Sequence, residues 1–411
     1  MSLKQSKLPG FGFAYCCIVI LSFASVASAQ QSKLNAYSSS APASDSAGNS
    51  LSSAEAAANS DLATFTYAIT SSRDGNSYSG AMVGKNPFGS DLSTTTVNTV
   101  VIPVILTTNS VAVKISHGNV INTKQGSTVF DPTATDNTCL GSPNNVPVTL
   151  TAQSPIFQSE PFQFGPTAIG TTQYVDAFQR GNFWQFVGGT AYHTLLSPRQ
   201  VAPVTVNLPA SEALAVPPNL FGGCGPLAVV DYDVMYHQVF NQLLAAAPVD
   251  TSELPIFLFY NTVMSGNSPN DLKHCCILGF HAAVTRQPGA RVQTYSFIDF
   301  DTSGDFGPTV KDTSIAAHEI GEWMDDPFGN NPTPAWGHTG QVGACQENLE
   351  VGDPLTGTNV ATVTGANGYT YHLQELAFFS WFYGAPSIAA NGWFSDNNTF
   401  TSDAGPVCTK K

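Results

Sequence analysis

From Asp312 to Asp353 the chain carries eight carboxylates (Asp312, Glu319, Glu322, Asp325, Asp326, Glu347, Glu350 and Asp353) and no lysine or arginine, and the next basic residue after Lys311 is Lys410. Any fold of this segment must leave those acids in water, keep them protonated or gather them around a cation, because a buried carboxylate without compensation is too costly to tolerate. Counterions are scarce elsewhere too, since only 11% of the 411 residues are charged. A bound divalent ion is the economical answer; an acidic helix end that stays solvated is the alternative.

The acids follow a pattern. In IAAHEIGEWMDDPFGNN, Ile315 to Asn331, apolar spacing predicts a helix from about Thr313 to Met324, with Asp312 or Thr313 capping its first turn. His318 and Glu322 are four apart and share a face, Asp325 and Asp326 continue it, and Ile320 and Trp323 take the other side. Two aspartates at the carboxyl end oppose the helix dipole, and Pro327 then stops the helix, so helix stability does not explain them.

His318-Glu319-x-x-Glu322 resembles the H-E-x-x-H helix of zinc metallopeptidases, with the second histidine replaced by glutamate. That resemblance implies metal ligation by His318 and Glu322, with Glu319 as the general base that activates water. A third ligand must come from downstream. CQENLEVGDP offers Glu350 with Asp353 three residues on, which resembles the branch of that clan whose third ligand is a glutamate and in which an aspartate steadies the first histidine; Asp326 and His338 are rival ligands. His281 and His338 are candidate transition-state donors, although His281 sits in an apolar run that reads equally as a strand with a hydrogen-bonded core histidine. Zinc is the expected ion, and the oxygen-rich set also suits manganese or calcium. A second acidic stretch, Asp299-Phe-Asp301-Thr-Ser303-Gly304-Asp305, resembles the start of a calcium loop, but Val310 stands where its bidentate glutamate belongs.

Residues 1–29 read as a signal peptide: Lys4 and Lys7, an apolar run from Phe11 to Val26, and Ala27-Ser28-Ala29 before the cut. Export to an extracellular or periplasmic space follows, with no membrane span in the mature chain. Cys139, Cys224, Cys275, Cys276, Cys345 and Cys408 then read as disulfide partners, and Cys275 and Cys276 are expected to bridge to different cysteines rather than to each other. A net charge of −14 without basic clusters excludes nucleic acid as a partner.

Residues 30–60, rich in Ser and Ala, read as a disordered linker. Residues 61–210 read as β-rich, with strands at Val97–Leu106, Val111–Ile115, Val146–Leu150 and Val201–Leu208, and a helix within Gly170–Trp184. Residues 211–411 read as a zincin-like α+β half: a helix at Asp231–Ala247, strands at Ile256–Met264, Ile277–Thr285 and Val292–Phe300, the acidic helix, and a last helix over Tyr371–Tyr383. The fold class expected is α+β. Within residues 255–411 the chain also resembles the plant EXORDIUM, or phosphate-induced, family of secreted cell-wall proteins. The resemblance rests on Cys276-x-x-Gly-Phe-His281, Ala317-His318-Glu319-x-x-Glu322 followed by a proline, a loop with Trp336, Glu350-Val-Gly-Asp353 and the late Cys408. That family tends to have asparagine where Asp326 stands, which favours Glu350 as the third ligand.

The resulting expectation is a secreted metal-dependent hydrolase acting on peptide or protein substrates. The other reading is a non-catalytic extracellular or cell-wall-associated binding protein on the same scaffold, with polysaccharide as a partner if Trp184, Trp336, Trp381 or Trp393 is exposed.

Overall fold

Period-two alternation in the central strands assigns two buried faces to one sheet. In Thr95–Ser116, Val97 and Val101 pack on one face and Val100, Ile102, Val104 and Leu106 on the other. Leu254–Tyr260 divides Ile256 and Leu258 from Phe257 and Phe259, and Val292–Phe300 divides Ile298 and Phe300 from Tyr295 and Phe297. Burial on both faces explains why these strands read as unbroken apolar runs.

The computed structural model describes residues 34–36, 40–45, 48–136, 138–142, 144–343, 345–406 and 408. The leader reading, residues 1–29, and Lys410 lie outside them. Twelve strands form the main sheet, whose central path runs Ser40–Ser44, Gly279–Thr285, Val292–Phe300, Leu254–Tyr260, Thr95–Ser116, Ala213–Val216, Leu227–Asp231, Thr262–Ser265, Cys275–Ile277. Thr95–Ser116 also pairs with Thr194–Gln200, Val204–Leu208 and Asn119–Phe130. Because Thr95–Ser116 lies directly against Leu254–Tyr260, the sheet crosses the boundary expected at residue 210. With 39% strand and 18% helix among the described residues, the fold is mixed and strand-rich, consistent with α+β. Phe240–Ala246 covers one face and the acidic helix, Ser314–Asp325, packs on the other against Gly279–Thr285 and Val292–Phe300.

Several local expectations give way to tertiary context. Val146–Leu150 is not a strand: Pro147 opens the helix Pro147–Ala152, where its missing N–H costs nothing. The run Ile256–Met264 is two strands, broken at Asn261, whose φ of 44° is a left-handed conformation that asparagine tolerates. The stretch Tyr371–Tyr383 is a strand, Thr370–Gln374, followed after the extended residues 375–378 by the helix Phe379–Tyr383. Its period is two at first, with Tyr371 and Leu373 buried and paired to Val360–Thr364. Ser40–Ser44, inside the expected linker, adds in parallel to Gly279–Thr285, and Ser53–Ala58 forms a capped turn of helix. Strand addition satisfies backbone groups without large side chains, and Ala43 and Ala56 fill a small core with Ala283 and Phe328.

Cys275 and Cys276 bridge to each other, against expectation, and the other disulfides join Cys139 to Cys224 and Cys345 to Cys408. Trp336 and Trp381 are core residues, so they offer no sugar-binding face. Among the described residues no helix is long and apolar enough to cross a membrane.

One buried acid outside the acidic helix carries its own prediction. The Tyr174 hydroxyl has a single proton yet faces two acceptors, the Gln374 carbonyl and Asp396 Oδ2 at 2.7 Å, so the Asp396 carboxyl holds the second proton. Burial, helped by the Glu375 charge, pushes the Asp396 pKa up to about 8. A carboxyl raised in the fold above its ordinary value keeps a proton that the unfolded chain loses, so its contribution to stability falls as pH rises from about 4 to 8. Asp396→Asn is therefore expected to gain on the parent chain in thermal midpoint between pH 5 and pH 9. A difference independent of pH would contradict the protonated carboxyl.

Candidate metal centre

Every residue of Ser314–Asp325 is buried, polar ones included. His318, Glu319, Glu322, Asp325 and Asp326 are at most 3% exposed, so the acids are not a solvated helix face. The helix is sealed by its own apolar residues, Ala316, Ala317, Ile320, Trp323 and Met324, and by the sheet beneath it. Thr313 takes the cap position, but its hydroxyl donates to the His372 carbonyl instead of capping the helix.

Asp325 and Asp326 are compensated by dipoles. Gln179 and Asn182, from the helix Tyr174–Asn182, donate to the Asp325 carboxylate. Asp326 accepts the N–H groups of Asn330 and Asn331 at 3.0 and 2.9 Å, a nest made by the chain turning back after Pro327. Asp326 belongs to neither of the two groups of side chains that could hold an ion.

Glu319, Glu322, Glu350 and Asp353 instead face two histidines. In Gly279–Thr285, Phe280 and Ala282 point into the far core, so alternation turns His281 towards the acidic helix. Its Nε2 donates to the Asp326 carbonyl at 3.1 Å, because a carbonyl only accepts, and that leaves Nδ1 as the bare nitrogen. Nδ1 lies 3.4 Å from Glu319 Oε2 and 3.6 Å from Glu322 Oε2, with no hydrogen bond. Across the cluster, His318 Nδ1 meets Gln374 Oε1 at 3.1 Å, and Gln374 is oriented by its own donation to the Gly352 carbonyl at 2.8 Å. The bare His318 Nε2 lies 2.9 Å from Glu322 Oε1 and 3.4 Å from Asp353 Oδ1, again without hydrogen-bond alignment. A carbonyl oxygen on one ring nitrogen, with the other turned to carboxylates, is the support that metal-binding histidines use.

Two overlapping sets have ligand atoms mutually within 4.8 Å: His318, Glu319 and Glu322, and His281, Glu322 and Glu350. The expected trio of His318, Glu322 and Glu350 is therefore divided, since Glu350 approaches Glu322 from the His281 side. Glu322 belongs to both sets; its Oε1 also accepts the N–H groups of Gly352 and Asp353 at 3.1 Å, while Oε2 has no hydrogen-bond partner. Asp353 does adjoin His318, as expected of a supporting acid. His338 stands outside both sets, its Nδ1 donating to the Asp353 carbonyl at 2.9 Å. Asp299 and Asp301 are buried and bound locally to the Thr262 N–H and the Ser303 hydroxyl, and among the described residues the calcium-like stretch forms no ligand set.

The sequence reading missed Gln374 and two glycines. A Cβ on Gly352 would lie 2.6 Å from His318 Cγ, and one on Gly279 would fall on the Glu319 carboxylate. Both glycines leave room for side chains of the cluster, Gly352 for His318 and Gly279 for Glu319. The signal for His281 was present, because Gly279 and His281 alternate with Phe280 and Ala282.

Electrostatics describes a cluster under strain from its own charge. Burial lowers the His281 pKa, but Glu350, Glu319 and Asp326 override it and push it up to about 9. Burial likewise opposes charge on His318, and Glu322 with Asp353 raises its pKa above the usual imidazole range. Glu322 is pushed up to about 7 by burial, partly offset by His318, and Glu350 is raised further by burial and by Glu322. With protein groups alone, protons must therefore perform the compensation that a divalent cation performs better.

Access is narrow. A cavity of about 10 Å³, room for one water, touches His318 and Glu319 and is bounded by Ala36, Leu278, Gly279, Ile315 and Gln374. The N-terminal segment closes it: the Ala36 N–H donates to Gln341 Oε1 at 2.8 Å and the Asn35 carbonyl accepts the Cys276 N–H at 3.0 Å. No family model, curated protein or solved structure matches this chain.

Proposed function

We propose that the protein is a metal-dependent hydrolase of peptide-like substrates, built on the acidic helix and exported to an oxidising compartment. One observation carries the reading: His281 and His318 have their ring orientation set by carbonyl oxygens and present bare nitrogens to the shared carboxylate of Glu322. A bound divalent ion supplies Lewis acidity, polarising a substrate carbonyl and lowering the pKa of water. Glu322 would hold it, either with His318 or with His281 and Glu350. The mixture of imidazole and carboxylate suits zinc, and manganese or calcium as oxygen donors come to dominate. Glu319 adjoins both histidines and accepts the proton from the attacking water. Gln374 and the Asp326 carbonyl hold the imidazoles in place. The three disulfides among the described residues support an oxidising compartment, in line with the leader read at residues 1–29.

Glu319→Gln is expected to lower peptide hydrolysis by about 100-fold or more while leaving bound metal unchanged, as measured by turnover and elemental content on one preparation. Unchanged turnover would remove Glu319 from the mechanism.

The one-water cavity favours a second reading, in which the ion is structural and the protein is a non-catalytic extracellular or cell-wall-associated binding protein, the class implied by the EXORDIUM resemblance. A fully metallated chain that cleaves no member of a peptide library would select it.

A further inference from the structure

The two ligand sets meet at a single residue. Glu322 turns Oε1 to the bare Nε2 of His318, 2.9 Å away, and Oε2 to the bare Nδ1 of His281, 3.6 Å away. A carboxylate whose oxygens point at two different imidazoles is in the attitude of a bridging ligand. Burial makes the same point through charge. Glu319, Glu322, Glu350 and Asp353 are at most 2% exposed, and the two imidazoles are neutral once each bare nitrogen is a ligand. One divalent ion leaves two of these four negative charges uncompensated in a medium that does not tolerate them, whereas two ions balance the group. The buried polar atoms without hydrogen-bond partners lie on both sides: His318 Nε2 and Asp353 Oδ1 on one, His281 Nδ1 and Glu322 Oε2 on the other.

We infer that the centre holds two divalent cations bridged by Glu322, one between it and His318 with Glu319 beside it as the base, the other between it and His281 and Glu350. This rests on the metal reading of the same site and adds a second ion to it. Paired ions sit about 3.5–4 Å apart and clamp both the attacking and the leaving oxygen of a hydrolytic displacement. Such a pair widens the substrate class to esters of phosphoric or carboxylic acids as well as peptides.

The test is reconstitution of the chelator-stripped full chain with Mn²⁺, counted by elemental analysis and read by electron paramagnetic resonance. The expected result is two ions per chain with an exchange-coupled spectrum. His281→Gln and His318→Gln should each hold one ion and show the six-line signal of isolated Mn²⁺. A parent chain that saturates at one ion with the six-line signal overturns the two-ion inference and leaves the metal reading standing. No bound ion overturns both. A single-histidine variant that still holds a coupled pair also overturns the bridging assignment. If the variants do not fold, the count and spectrum of the parent chain decide the matter alone.

Discussion

Glu322→Gln is expected to lower metal affinity by more than about 100-fold, the upper range seen when only a supporting residue is lost, because Glu322 contacts both histidines directly. The glutamine is isosteric, and its oxygen can still accept the Gly352 and Asp353 N–H groups, so the backbone turn that delivers Glu350 and Asp353 survives. The informative result is a change of sign in stability. With saturating ion the parent chain gains binding energy that the variant lacks, about 4 kcal/mol when free ion exceeds the dissociation constant a thousandfold. In chelator the variant should be at least as stable as the parent, since a neutral amide replaces a buried carboxylate already pushed up to about 7. Thermal midpoints of both proteins, with and without ion, measure this. A variant that is less stable than the parent in chelator would mean that Glu322 serves the fold through its protein contacts and not through a cation.

The second large effect is steric. Gly352→Ala adds one carbon 2.6 Å from His318 Cγ and Nδ1, and the ring cannot yield without disturbing its Nδ1 hydrogen bond to Gln374. The backbone at Gly352, φ −87° and ψ −37°, accepts alanine, so the whole cost is packing. Overfilling of this kind costs about 1–3 kcal/mol, and displacement of His318 should weaken metal binding by about 10–100-fold. Gly279→Ala strikes Glu319 in the same way and should lower turnover. Gly343→Ala, with nothing near its added carbon, is the control. Metal titration and thermal unfolding of the three variants check the assignment, and equal affinity across all three would show that His318 is not a ligand.

How much of this was legible in the chain depends on the range of the interaction. The acidic helix and its pattern, His318-Glu319-x-x-Glu322, were readable because periodicity and proline act locally, and the absence of cations flagged the burial problem before any geometry. Glu350 and Asp353 were legible as acids in a segment lacking lysine and arginine, but not which histidine each would meet, since that depends on the register of the Gly279–Thr285 strand beside the helix. Gln374 was lost because five residues of alternation in Thr370–Gln374 merge into the helical spacing that follows. The strand at Ser40–Ser44 was invisible for a different reason: its contribution is backbone pairing to an existing sheet edge, which leaves no trace in side-chain hydrophobicity. Cys275 and Cys276 show the converse, a local pairing that a preference for distant bridges set aside.

The most direct check is elemental analysis of the full chain after gentle purification without chelator. The account predicts at least one tightly held zinc, manganese or calcium ion per chain, lost together with thermal stability on exhaustive chelation. Less than about half an equivalent of any divalent metal, with a thermal midpoint indifferent to added ion, would contradict it.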